Sequence, residues 1–178
     1  MTTRRLVPSL AIALSLATAG CSAWNAVSNS AVGKGGGVQA VLVPNDRSSG
    51  RADVRFVDRG DGVFMTVFVT NLREGTYRVV IHANGNCSSP NFFSAGPAWA
   101  PAGSARAAKD LTPEFRVSSD GDGTWTVQIP GVHTAGPDSL LGHSVVLHFG
   151  ANIDDFVPGV PNNGYMCGVI GPLRSFTS

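Results

Sequence analysis

From residue 38 onward, short strand-like runs recur along the chain, and the alternation of apolar and polar residues in some of them limits the folds that the chain can adopt. It is clearest in ADVRFVDRGDGVFMTVFVTNL (52–72), where two alternating runs flank DRGDG (58–62). A period of two is typical of half-buried strands, and Asp and Gly tolerate the positive φ of tight turns, so this segment predicts a β-hairpin. After the N-terminal apolar run, no stretch of helical length keeps a 3.6-residue period. We therefore expect an all-β fold.

Similar runs predict the other strands, separated by turns and by two long connections. The runs are VQAVLV (38–43), TYRVVIHA (76–83), HSVVLHF (143–149) and MCGVIG (166–171). EFRVSSDGDGTWTVQIP (114–130) predicts a second hairpin with DGDG (120–123) as its turn. The connections 84–113 and 150–165 are long for a compact β domain, where such loops are usually functional. Together these signals favour an antiparallel sandwich or barrel.

The N-terminus predicts export. Two arginines precede an apolar run (6–19) that is too short to span a membrane, as in a secretory signal peptide. TAGC (18–21) resembles a bacterial lipobox, which implies a signal peptide of the lipoprotein type over 1–20 and lipidation of Cys21. The alternative is an ordinary signal peptide in which Cys21 is incidental. We expect a protein of the bacterial cell envelope, lipid-anchored to the membrane and facing the periplasm or the cell surface.

The composition of the remaining chain bounds its organisation and its partners. Residues 21–37 are small, polar and glycine-ended, which predicts a flexible tether, and we expect one folded domain over 38–178. The formal net charge is +1 and no run of Lys or Arg forms a basic stripe, which excludes nucleic acid as a partner. In an oxidising compartment, the two cysteines of the domain, Cys87 and Cys167, are interpreted as one disulfide. No motif identifies a protein partner.

Several motifs, in order along the chain, resemble the copper/zinc superoxide dismutase family. They are GDGVFMTVFVTNLREGTYRVVIHANGNCSSPNFFSAGPAWAP (60–101), DLTPEFRVSSDGDGTWTV (110–127), GHSVVLHFG (142–150) and CGVIG (167–171). The resemblance covers essentially all of 38–171. It implies an eight-stranded Greek-key β-barrel with two long loops. It also implies that Cys87 and Cys167 form the family's loop-to-strand disulfide.

The resemblance further implies where copper would bind, and this chain keeps only part of that ligand set. In the family, a His-x-His strand supplies two copper ligands, and the corresponding residues are Val80 and His82. Ala98 stands where the family has the histidine that bridges copper and zinc, and His148 matches the remaining copper ligand. We therefore expect copper to be bound by His82 and His148.

Two other residues are weaker candidates for copper ligands. His133 lies in a connection that could bring it toward the pair, and Met166 is a soft ligand that favours Cu(I). His143 is at odd spacing from His148 and is expected to point away. Trp99 and Phe92 are expected to pack as loop residues against the barrel.

The same comparison predicts that the zinc site is lost. Residues 99–110 contain no histidine, and Asp110, which matches the family's zinc aspartate, cannot form a closed tetrahedral site alone. We expect no zinc. Gly164 stands at the position of the family's active-site arginine, and no Arg or Lys occurs in 150–165, so the electropositive funnel for superoxide is expected to be missing.

These observations predict an exported superoxide-dismutase-like domain with a degenerate metal centre. We expect it to bind copper, as Cu(I), through His82 and His148, with little or no dismutase activity, because Cu(II) prefers four tetragonal ligands. One alternative is an active copper-only superoxide dismutase whose site is completed by water or His133. Another is a metal-free β-barrel that binds a protein or a small ligand, favoured by the apolar residues Val80 and Ala98. For either histidine alone, a hydrogen-bonded side chain on a barrel strand is the simpler interpretation.

Overall fold

The computed structural model describes residues 36–45, 49–108, 111–150 and 164–173. The signal peptide, Cys21, Asp110 and most of the predicted tether and second loop lie outside the described residues. The strands are β1 (Val38–Pro44), β2 (Arg51–Arg59), β3 (Gly62–Thr70), β4 (Gly75–His82), β5 (Glu114–Val117), β6 (Gly123–Pro130), β7 (Ser144–Phe149), β8 (Gly164–Val169) and the two-residue β9 (Gly171–Pro172). A single turn of 3₁₀ helix (Phe93–Ala95) lies in the first long loop. Within the described ranges, no helix has the length and apolarity needed to cross a bilayer.

Eight strands form one antiparallel sheet that curls into a nearly closed barrel. The strand order is β5-β4-β7-β8-β1-β2-β3-β6, and β9 pairs with the start of β1. β1 joins the two halves, because its first five residues pair with β2 while Val43 and Pro44 pair with β8. Strands that are distant in sequence, such as β4 and β7, are therefore neighbours in the sheet. The all-β, eight-stranded barrel is confirmed.

The hairpin predicted at 52–72 is confirmed. β2 and β3 pair along their whole length, from Arg51 with Thr70 to Arg59 with Gly62, and Gly60 adopts a φ of +64° in the turn. Their inward-facing residues are buried and their outward-facing ones are mostly half-buried or exposed, as the period of two requires.

The hairpin predicted at 114–130 is wrong in its pairing. Both strands form, but β5 pairs with β4 and β6 pairs with β3, so they lie at opposite ends of the strand order. The ladder between β6 and β3 extends from Gly62 with Pro130 to Val69 with Gly123, which four-residue β5 could not provide. Phe115 and Trp125 pack their rings 4.4 Å apart between these end strands.

Buried apolar residues form two clusters on opposite sides of the sheet. The larger fills the barrel and includes Val79, Ile81, Leu147 and Met166. The smaller lies outside the barrel, beneath the first long loop, and consists of Phe92, Ala95, Val146 and Cys167 with Cys87 packed against it. The predicted disulfide between Cys87 and Cys167 is present, with a Cα–Cα distance of 5.7 Å, and it attaches this loop to β8.

Candidate metal centre

His82 and His148 meet on the outer face of the sheet where β4 and β7 pair. Val80 pairs with Val146, and the two histidines lie two residues away from this pair in opposite directions, on the same face. Their imidazoles meet above the valines, with a distance of 3.3 Å between the two Nε2 atoms and ring centroids 5.6 Å apart. The structure thus brings together the two residues that the sequence predicted as copper ligands.

The first long loop orients the imidazole of His82. Its Nδ1 lies 2.7 Å from the carbonyl oxygen of Gly96, and because a carbonyl only accepts hydrogen bonds, Nδ1 carries the proton. The Nε2 atom of His82 then presents its lone pair to His148. The loop is fixed at this point because Ala83 donates its N–H to the oxygen of Pro97 and Ala98 forms a β-bridge with His82. Such outer hydrogen bonds commonly set the tautomer of metal-binding histidines.

Both imidazoles are buried and neutral. Their exposed fractions are 5% for His82 and 4% for His148. Burial lowers the pKa of His82, against the opposing effect of its hydrogen bond to Gly96. Burial also lowers the pKa of His148 to about 3, and the neighbouring His82 and Arg78 act in the same direction. Neutral imidazole is the form that binds metals, so no proton has to be removed from a cationic ring before binding.

Among the residues that the structure describes, the surroundings of the pair add no third His, Cys, Asp or Glu ligand. The positions of the two missing ligands are Val80, buried beneath the rings, and Ala98, on the loop that covers them. Within the described part of the chain, no three His, Cys, Asp or Glu side chains lie close enough together to hold a metal ion. The described residues around the pair thus supply two imidazoles, fewer than the four ligands of a structural zinc site. Two neutral imidazoles fit Cu(I), which accepts few ligands and binds imidazole.

The two weaker candidates are placed elsewhere. His133 lies beside Asp58, with 3.5 Å between Nδ1 and Oδ1, and it belongs to no cluster of three described metal-binding side chains. Met166 pairs with Leu147 and is fully buried inside the barrel, whereas His148 projects from the outer face. The alternation of side chains along β7 and β8 therefore separates Met166 from the pair.

Three other predicted residues support the loop rather than the pair. His143 approaches the carbonyl oxygen of Ala83 with its Nδ1 at 2.9 Å, and its ring lies 4.2 Å from that of Trp99. Trp99 packs against the barrel core and Phe92 packs in the outer cluster, as expected. Gly164 of β8, at the position of the family's arginine, supports neither the loop nor the pair through a side chain, and it pairs with His148 of β7.

Sequence reasoning missed Arg78. It precedes His82 by four residues on β4, so both project from the same face, and it pairs directly with His148. Its Nη2 atom lies 2.9 Å from Oε1 of Glu114 on β5. The sequence could have shown that Arg78 and His82 share one face, because they are four residues apart in one predicted strand. Its position beside His148 depends on the pairing of β4 with β7.

Comparisons with known proteins agree with this architecture. The family model for copper/zinc superoxide dismutase matches residues 49–170, well over half of the chain. "Superoxide dismutase [Cu-Zn] 2" of Brassica juncea is 27% identical over 149 residues, covering 75% of this chain and 97% of that protein. The crystal structure of the clock protein EA4 superposes with a TM-score of 0.63 at 22% identity, covering 78% of this chain and 96% of that one, which supports the fold alone. This chain therefore belongs to the copper/zinc superoxide dismutase family.

Proposed function

We propose that this protein binds one copper ion, as Cu(I), through His82 and His148, without zinc and with little or no dismutase activity. The observation that carries the proposal is that the Nε2 atoms of the two buried imidazoles lie 3.3 Å apart. The hydrogen bond from Nδ1 of His82 to the Gly96 carbonyl leaves the lone pair of His82 Nε2 facing His148. When bound, copper would supply one-electron redox chemistry. The two imidazoles would hold it and the apolar residues around them would exclude water.

The same geometry argues against rapid dismutation. Dismutation requires the metal to alternate between Cu(I) and Cu(II), and Cu(II) prefers four tetragonal N or O ligands. Superoxide must also reach the metal, and exposed fractions of 5% and 4% leave little access to the imidazoles. A two-histidine site buried in this way suits retention of Cu(I) better than turnover.

Copper stoichiometry tests the proposal. The purified protein would be loaded with Cu(I) against a competing chelator, alongside His82→Ala and His148→Ala, with His133→Ala as a matched control away from the pair. We expect one equivalent of copper in the unchanged protein and in the control, and loss of binding in each of the other two variants. Retention of copper by both of those variants would refute the site.

A dismutase assay on the same samples tests the second part of the proposal. We expect copper loading to produce no substantial activity. Copper-dependent superoxide dismutation that His148→Ala abolishes would instead establish the alternative of an active copper-only superoxide dismutase.

A metal-free function is the second candidate, and one specific observation favours it. At 3.3 Å, an N–H at Nε2 of His148 can donate to Nε2 of His82, so the pair is satisfied without any ion. In that case the surface of the first long loop would carry the function. An apolar groove of about 590 Å³ lies beside the disulfide and is lined by Val41, Val43 and Phe92 among others. Absence of specific copper binding in the titration would favour this function.

We also propose that the protein is exported and lipid-anchored to the bacterial cell envelope through Cys21. The N-terminal apolar run and the TAGC segment support this proposal. Fractionation of bacterial cells expressing the full chain tests it, with Cys21→Ser as the variant. We expect the unchanged protein in the membrane fraction and the variant in the soluble fraction. An unchanged distribution would rule out the anchor.

A further inference from the structure

A row of paired residues crosses four neighbouring strands beside the histidine pair. Glu114 of β5 pairs with Arg78 of β4, and Arg78 pairs in turn with His148 of β7. Gly164 of β8 completes the row on the other side of His148. Directly paired residues project from the same face of a sheet and interact with each other. A carboxylate, a guanidinium and an imidazole therefore stand side by side, in that order.

This order places the positive charge nearer to the histidine than the negative charge. Neighbouring strands are separated by about 4.8 Å, so Arg78 is one strand away from His148 and Glu114 is two strands away. The guanidinium is also the better shielded partner, because its side chain is 18% exposed and that of Glu114 is 36% exposed. Water consequently screens the carboxylate more than the guanidinium, and the pair leaves a net positive influence at His148.

We propose that Arg78 biases copper held by His82 and His148 toward Cu(I), and that Glu114 limits this bias. The inference rests on the proposed function. Cu(II) carries one more positive charge than Cu(I), so a fixed cation next to a ligand destabilises the oxidised ion more than the reduced one. The two members of one ion pair should therefore act on the redox equilibrium with opposite signs.

The test measures the ratio of the Cu(II) to the Cu(I) dissociation constant in the full protein and in two variants. Arg78→Gln should lower this ratio roughly tenfold, which corresponds to a reduction potential about 59 mV lower for a one-electron couple. Glu114→Gln should raise the ratio by roughly threefold, because the charge it removes is more distant and better solvated. Arg78→Lys keeps the positive charge and should restore most of the original ratio.

Arg116→Gln is the matched control. Arg116 lies on the same strand as Glu114, but its side chain is 75% exposed and its ion pair with Glu74 is 3.8 Å long, so the ratio should not change. A purely structural role for the ion pair would make Arg78→Gln and Glu114→Gln shift the ratio in the same direction, which would overturn the inference. One copper equivalent with no shift in either variant would overturn the inference alone. An unchanged protein that binds no copper would overturn the inference together with the proposed function.

Discussion

Acidification should destabilise the metal-free protein through His148. The pKa of an ordinary histidine is 6.5, and burial lowers that of His148 to about 3 in the folded protein. The unfolded chain therefore binds a proton at a higher pH than the folded one does. The free energy of unfolding is therefore unaffected by His148 above pH 6.5. It decreases progressively as the pH falls from 6.5 toward 3, because the unfolded chain takes up the proton first.

The size of the effect follows from this difference. At pH 5 the folded imidazole is still neutral, whereas the unfolded one is almost fully protonated. The free energy of unfolding should then be about 2 kcal/mol lower than at pH 7.5 on account of His148 alone. Burial lowers the pKa of His82 as well, so its contribution has the same sign.

Urea unfolding, followed by tryptophan fluorescence at pH 7.5 and pH 5 with copper removed by a chelator, measures this loss. His148→Gln is the comparison, because an amide can still donate to Nε2 of His82 but does not titrate in this range. We expect the variant to lose about 2 kcal/mol less than the unchanged protein between the two pH values. An equal loss in both proteins would refute the assignment of His148 as a buried neutral imidazole.

Three further predictions concern the disulfide, the Asp58 carboxylate and the position of Val80. Replacing Cys87 and Cys167 together by serine should lower the free energy of unfolding by about 4 to 5 kcal/mol, because the disulfide closes a loop of 80 residues. Urea unfolding measures this change, and an unchanged midpoint would contradict the prediction. Asp58→Ala should cost about 2 kcal/mol, since its carboxylate accepts hydrogen bonds from the N–H and hydroxyl of Thr134; an unaltered melting temperature would argue against this role. Val80→His should place a third imidazole between the existing two and strengthen Cu(II) binding at least tenfold, which chelator competition measures. It should also lower the free energy of unfolding of the metal-free protein by about 1–3 kcal/mol, which urea unfolding measures.

Much of the fold could be predicted from the sequence because strand formation follows local patterns. The alternation in 52–72 and the Gly-Asp turn within it were enough to predict two paired strands and their connection. The segment 114–130 has the same local pattern, yet its two strands pair with different partners. An alternating run specifies which side chains face inward but not which strand lies beside it, because hydrogen-bonding edges are alike along all strands.

The candidate site divides in the same way. The family resemblance pointed to His82 and His148, and their burial, their 3.3 Å separation and the bond from His82 to Gly96 came only from the structure. His133 and Met166 were reasonable ligands by residue type. In the structure, His133 lies beside Asp58 at the end of β2, and Met166 is buried in the barrel interior.

By itself, then, the sequence determined the strands and the inward and outward faces of each, because these depend on neighbouring residues. The two remaining histidines came from the resemblance of its motifs to a known family. Only the tertiary structure decided that β4 lies against β7, bringing together imidazoles that are 66 residues apart and placing Arg78 beside one of them. That pairing depends on how all eight strands share one core, and a charge acts on a metal site through distance in space rather than along the chain.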